Sequence, residues 1–244
     1  MNTTLAKCPG ITGLIVVTLL AGGCAQTSRA PTAKDSGFLG ADAALLKPGR
    51  EDQAQRVYRR PGVNWSSYRK ILLDPVTLWK GKESTGRGIS AQDEQTLVNY
   101  FYSVIRGAIQ KEGFALVNAP EADTLRVKVA ITKAKESDVA MNVVSIVVPA
   151  LHALSSLDKL ATGKPAFVGE AQIEVKVTDA LTGELIAAGI DHRVGGKALD
   201  AATMTSWGDV EAMMRLWADH GSYKLCELQK RTDCVPPPQA EMLR

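Results

Sequence analysis

Aromatic side chains are scarce: Phe, Trp and Tyr make up 5% of the 244 residues, and there are three histidines. Those histidines, His152, His192 and His220, lie in separate stretches, and none sits at a metal-ligand spacing. No glycine–x–serine–x–glycine elbow is present, so the usual nucleophile turn of an α/β hydrolase is missing. The glycine-bearing loop at 80–88 lacks the glycine–lysine–serine/threonine order of a phosphate loop. A formal net charge of +3 is too mild to argue for nucleic acid. Past the N-terminus no apolar run approaches a clean transmembrane span. These absences remove the motif-bearing enzyme classes, though not every enzyme, because catalytic groups are recognised by geometry rather than by order.

What is present begins at the N-terminus. Lys7 is followed by an apolar run at 11–20, interrupted by Thr12, Gly13 and Thr18 and too short to span a bilayer. It fits a secretory leader ending in small residues. Leu19, Leu20, Ala21, Gly22, Gly23 and Cys24 then resemble the bacterial lipobox. The usual leucine stands one place further back, at Leu20, with Ala21 in its position. The resemblance implies cleavage of 1–23, diacylglycerol on the Cys24 thiol and acylation of its amine. Several acyl chains on one residue make a stable anchor where a single chain does not. Ala25 stands where an inner-membrane retention signal would place aspartate, so similarity to enterobacterial lipoproteins points to the outer membrane, facing the periplasm. Cysteine use agrees with export. Cys8 leaves with the leader, and Cys226 and Cys234 remain as a pair for a disulfide in an oxidising compartment. Their seven intervening residues, with no nearby cysteine or histidine, argue against a metal or redox pair.

Residues 24–36 read as a tether of small and polar residues with Pro31, able to reach about 40 Å when extended. The folded domain is expected over 37–234 and a proline-started tail over 235–244. Residues 71–79 are rich in β-formers, with Pro75 demanding an edge or a bulge. Ser90 and Asp93 form a capping box ahead of Leu97, Phe101, Val104, Ile105, Ala108 and Ile109 at helical spacing, and Gly113 ends that helix. A short strand follows at 114–117. Leu125, Val127, Val129 and Ile131 alternate with polar residues, as do Ala171, Ile173, Val175 and Val177. The second run turns at Asp179, Thr182, Gly183 and Glu184 and returns over 185–191, which predicts an antiparallel hairpin with one polar face. Ser206 and Asp209 suggest a second capping box, before Val210, Met213, Met214, Leu216 and Trp217. The expected fold is α+β: a small, mostly antiparallel sheet of about five strands, in the order β-α-β-β-helical insertion-β-β-α, with helices on one face.

Three stretches could carry function. Arg56, Tyr58, Arg59, Arg60 and Trp65 interleave bases with aromatics and could form a surface for an anionic partner, or could lie as a strand whose arginine stems cover apolar surface. Residues 139–157 contain no Asp, Glu, Lys or Arg and are broken by Pro149; they could face a membrane or an oligomeric partner, or dock as a kinked helix. Asp74, Asp191 and His192 lie at strand ends and could meet as a hydrolytic site, although strand-end aspartates more often cap turns.

Gly37-Phe38-Leu39, Lys47-Pro48-Gly49-Arg50, Pro61-Gly62-Val63 with Trp65 and Tyr68, and Leu72-Leu73-Asp74-Pro75-Val76 resemble a family of proteobacterial lipoproteins catalogued only as a domain of unknown function. The likeness continues through Ala122-Asp123-Thr124-Leu125, Asn142-Val143-Val144-Ser145, Phe167-Val168-Gly169-Glu170-Ala171, Asp179-Ala180, Asp191 with Arg193, and Ser206-Trp207-Gly208-Asp209. It covers nearly all of the chain after the leader. The element order is also similar to the α/β domains of peptidoglycan-synthase-activating lipoproteins and the curli secretion channel, a likeness of fold alone. The resulting expectation is a lipid-anchored, non-catalytic module that meets the membrane through Cys24 and binds an envelope protein, without cofactor, metal or nucleic acid.

Overall fold

Ile173, Val175 and Val177 alternate with Gln172, Glu174 and Lys176 because their strand separates two buried layers. The computed structural model describes residues 27–81, 89–137, 168–196 and 205–237. Cys24, the 139–157 insertion and the end of the tail lie outside the described residues. The strands are β1 (Ser28–Arg29), β2 (Lys47–Pro48), β3 (Arg56–Arg59), β4 (Lys70–Leu73), β5 (Thr77–Leu78), β6 (Ala115–Leu116), β7 (Thr124–Lys135), β8 (Glu170–Asp179) and β9 (Leu185–Val194). They join in one sheet of order β2-β3-β9-β8-β7-β4-β6, with β1 pairing β9 and β5 pairing β7. The fold is α+β as expected, but with nine strands rather than about five. The added strands are short ones that carry too few residues to show a period.

Helices α1 (Ala91–Lys111) and α2 (Gly208–Leu228) cover one face. The α1 N-cap forms, Ser90 Oγ accepting from the Asp93 N–H at 3.1 Å and donating to the Asp93 carboxylate at 2.7 Å. Leu97, Phe101 and Ile105 from α1, Val210, Met213 and Met214 from α2, and Leu125, Val129, Ile131 and Ile173 from the sheet make the main core. Pro75 splits the expected strand into β4 and β5, which both pair β7 in parallel. That strand is therefore interrupted rather than placed at an edge, since β4 lies between β7 and β6. At the β8–β9 turn the register steps from Val177↔Ala187 to Thr178↔Leu185. Ile186 is the extra residue, a bulge that turns it into the helix-side core.

The second capping box does not form. Trp207 is the N-cap of α2 and provides no side-chain cap. Asp209 is instead buried, and its Oδ2 accepts the Gly169 N–H at 2.7 Å. A Cβ at Gly169 would stand 2.7 Å from the Asp209 Cβ, and one at Gly195 would collide with its carboxylate, so both backbones need glycine there. Burial pushes the Asp209 carboxyl up, opposed by that one hydrogen bond.

The stretch expected to be a tether belongs to the fold from Thr27 onward. Ser28 and Arg29 pair with β9, and the Ala30 N–H donates to the His192 carbonyl at 2.9 Å. The segment then crosses the sheet face opposite the helices, placing Leu39 and Ala43 on Ala188 and Ile190. The face expected to be polar and solvated is thus a buried polar layer. At the other end α2 is closed by a Cys226–Cys234 disulfide. In the same turn Arg231 donates to the Glu112 carbonyl at the end of α1 at 2.6 Å, and the Val235 N–H reaches the Glu112 carboxylate at 3.2 Å. The expected free tail is therefore held at its start.

Candidate functional site

Alternate residues of a strand point to opposite faces, and on β9 this separates the residues that a hydrolytic reading needs together. Asp191 faces α2. Its Oδ1 accepts the Gln55 N–H at 2.9 Å, and its Oδ2 accepts from Arg193 Nε at 2.8 Å and Trp217 Nε1 at 2.6 Å. His192 faces the N-terminal segment. Its Nδ1 donates to the Thr32 carbonyl at 2.5 Å, and its Nε2 lies 2.5 Å from Glu170 Oε1, which Lys133 also reaches at 2.6 Å. Asp74 is elsewhere again, paired with Arg126, whose Nε lies 2.9 and 3.0 Å from the two carboxylate oxygens and whose terminal nitrogen lies 2.9 Å from Oδ2. Asp74, Asp191 and His192 therefore do not meet, and each has a structural partner.

The polar layer under the N-terminal segment is a second set of locked groups. The Ser36 N–H donates to Glu174 Oε1 at 2.7 Å. Gln172 accepts the Lys34 N–H at 3.1 Å, and its amide donates to the Lys34 carbonyl at 2.7 Å and to Thr132 Oγ1 at 2.9 Å. Glu174 is wholly buried, its Oε2 has no hydrogen-bond partner among the described residues, and burial pushes its carboxyl up.

A groove opens on the helix side, where α2 leaves β3, β9 and the adjoining part of β8 uncovered. Its volume is about 1020 Å³, near the upper end of the roughly 300–1,000 Å³ usual for ligand clefts. Val57, Ile173, Val175, Val177 and Ala187 form an apolar floor, and Leu216, Trp217 and His220 of α2 form a wall. The small Ala187 leaves room that a larger residue would fill, whereas a Cβ at Gly189 would stand 3.3 Å from the Ala54 Cβ. Across the mouth runs a chain of exposed ion pairs. Arg50 lies 3.2 Å from Asp52, Asp52 is 3.2 Å from Lys224, and Lys224 is 2.8 Å from Glu227. The Arg50 and Lys224 contacts hold the Asp52 carboxyl down at about 2.

At the β1 end of the groove, positive charge exceeds negative. Arg29 and Arg193 are directly opposed across β1 and β9, an arrangement that is unfavourable for like charges unless something compensates. Arg29 donates to the backbone carbonyls of Arg50, Glu51 and Gln53, which carry no net charge. Among the described residues Asp191 is the one carboxylate that pairs with Arg193, and it meets Nε. Among the described residues no acceptor reaches the two terminal nitrogens of Arg193, whose side chain is 12% exposed. His220 lines the same space, and its Nε2 is buried with no partner among the described residues. Burial, with repulsion from Arg193 and Lys224, pushes the His220 imidazole below its ordinary value.

The aromatic and basic stretch is divided by the same two-residue period. Tyr58, Arg59 and Trp65 line the groove. Arg56 donates to the Ala43 carbonyl at 3.4 Å, Tyr58 packs with the Leu39 cluster, and Arg60 pairs with Glu184 at 2.5 Å. The five residues therefore do not form one surface. Arg29, Arg193, Trp217 and His220 went unrecognised as a set, since they come from three elements. The run Ala187-Ala188-Gly189 facing Val175 and Val177 was the available signal, because small residues in mid-strand mark a close approach or a space.

Residues 34–220 match the family model described as "Protein of unknown function (DUF3313)", in agreement with the motif resemblance. No enzymatic family is identified. No curated protein matches the chain. Among solved structures, two PelC dodecamers from Paraburkholderia phytofirmans are similar. One, a PelC variant, is 8% identical with a TM-score of 0.38, covering 68% of this chain and 93% of its own. The other is 10% identical with a TM-score of 0.39, covering 72% and 97%. Likeness at this distance carries nothing about assembly or role.

Proposed function

Because the chain belongs to the DUF3313 family, whose description names no activity, we propose a role from its own site: a non-catalytic module, lipid-anchored through Cys24 to the periplasmic face of the outer membrane, that takes an envelope component into the groove beside α2. The groove carries this reading. It joins an apolar floor to a few polar groups at one end, which is how binding clefts combine affinity with orientation. The polar atoms of Asp191 are directed at holding Arg193, Trp217 and the Gln55 amide in place. The lipobox-like stretch before Cys24 and the export-compatible cysteines support the location. A hydrolase using Asp191 and His192 is not carried forward, because the strand turns those side chains to opposite faces.

The test is site-specific photo-crosslinking in intact cells, with the photoreactive residue at Val177 on the groove floor or at Leu181, which is 63% exposed on the hairpin turn. The expected result is one adduct of discrete mass from Val177 only, lost when Ala187→Trp fills the groove. Identical adduct patterns from both positions would overturn the binding-site assignment. Intact mass of the membrane-fractionated chain beside Cys24→Ala tests the anchor independently: a chain starting at Cys24 with three acyl groups is expected, and an unlipidated soluble chain would overturn it.

A further inference from the structure

We propose that the groove binds a single-chain amphiphile with an acidic headgroup, its apolar stem on Val175, Val177 and Ala187 and its headgroup against Arg193 and His220. The inference rests on the groove being the binding site and goes further by naming what it takes. Three observations converge on this class. First, the floor is apolar and elongated: Ile173 to Val177 spans about 14 Å at a strand rise of about 3.4 Å per residue, which suits an extended alkyl stem. Second, one end holds two directly opposed arginines; Arg29 meets backbone carbonyls, and the carboxylate that Arg193 meets, Asp191, already takes three donors. A ligand anion there supplies the charge the protein omits. Third, among the residues lining this end of the groove, the donors with no partner among the described residues include the terminal nitrogens of Arg193 and Nε2 of His220. A guanidinium edge and a neutral imidazole N–H can both donate to a carboxylate or phosphate, and the charge-assisted bond to Arg193 is the stronger of the two. A cationic headgroup would be repelled by the arginines, and a neutral one offers acceptors without the charge that strengthens the bond to Arg193. Trp217 anchors the arrangement from α2, its indole N–H fixing Asp191 while its residue lines the groove.

The experiment uses the soluble Cys24→Ala chain without its leader. Dodecanoate brominated along its chain, brominated dodecyl phosphate, a brominated dodecyl maltoside and a brominated dodecyltrimethylammonium are titrated below their micelle concentrations, with quenching of Trp217 as the readout and Trp217→Phe as the reference. Saturable quenching by both acidic probes, at least tenfold tighter than by the neutral and cationic ones, is the expected result. His220→Leu should weaken the acidic probes more than the neutral one. Arg193→Gln should weaken the acidic probes by about ten- to a hundredfold, the scale of a hydrogen bond to a charged group. If Arg193→Gln does not fold, His220→Leu and the headgroup series still decide. Preference for the phosphate over the carboxylate points to a phospholipid source, and the reverse to a free fatty acid. Equal quenching by all four headgroups would overturn the acidic-site assignment. No saturable quenching by any probe would overturn the proposal. A discrete protein adduct from Val177 in cells would in that case leave the binding groove standing and replace the ligand class.

Discussion

The two faces of the β8–β9 hairpin bury charge for opposite ends. Beneath the N-terminal segment, Gln172, Glu174 and His192 are committed to backbone groups at Lys34, Ser36 and Thr32. Their polarity fastens chain to chain. On the helix side, Asp191 is equally committed, but it leaves Arg193 and His220 facing an open groove. The same alternation of polar and apolar residues therefore produces a fastening on one side and a receptive site on the other. What covers each face decides which: on one side a segment reached across 138 residues from Glu174 to Ser36, on the other the helix α2, whose Trp217 is 26 residues from Asp191.

Four variants sharpen or break this contrast. Asp191→Ala removes the partner of the nearly buried Arg193 and three hydrogen bonds at once; it should cost about 3–5 kcal/mol, as breaking a buried pair does, read from urea denaturation. A loss no larger than that of a surface change would mean that the helix side is not organised by this carboxylate. Glu174→Ala leaves the Ser36 amide without its acceptor and should cost about 1–3 kcal/mol. Faster amide exchange should be confined to the segment around Ser36, and unchanged exchange there would show that the fastening lies elsewhere. The pH comparison of wild type with Glu174→Gln is smaller. Burial raises the Glu174 carboxyl, so its contribution is fully present below the unfolded carboxylate value and is lost as pH rises through the folded one. Wild type should therefore lose stability relative to the glutamine variant as pH climbs from about 4 through that value; a flat difference would contradict the buried carboxyl. The smallest effect belongs to the mouth of the groove. Asp52→Ala should change stability by less than about 1 kcal/mol, because exposed ion pairs contribute little. Any difference should shrink with added salt, and a large salt-independent loss would make that chain of charges part of the frame.

The contrast also explains what could be read in advance. The positions of α1 and α2 were legible from helical spacing, and the hairpin from its alternation and its Asp179 turn, because those signals are local. The Ser90 cap followed for the same reason. The Ser206–Asp209 cap did not, although its spacing is identical, because Asp209 finds the Gly169 amide and a glycine-lined pocket that no neighbouring residue reveals. Likewise 27–36 carries no period of its own and reads as a tether. It becomes structure by docking on groups such as Glu174, 138 residues from Ser36.

Local chemistry in the sequence was enough to determine the two long helices and the long strands, the α+β class, the family and the expectation of a lipid anchor. Periodicity and short motifs act over a few residues, and each of those features is of that range. Tertiary structure alone decided that Asp191 and His192 part company, that the basic stretch divides between two faces, and that Arg29, Arg193 and His220 gather around one groove. Those outcomes depend on strand register, where a shift of one residue exchanges every side chain between faces, and on covering segments brought from far along the chain.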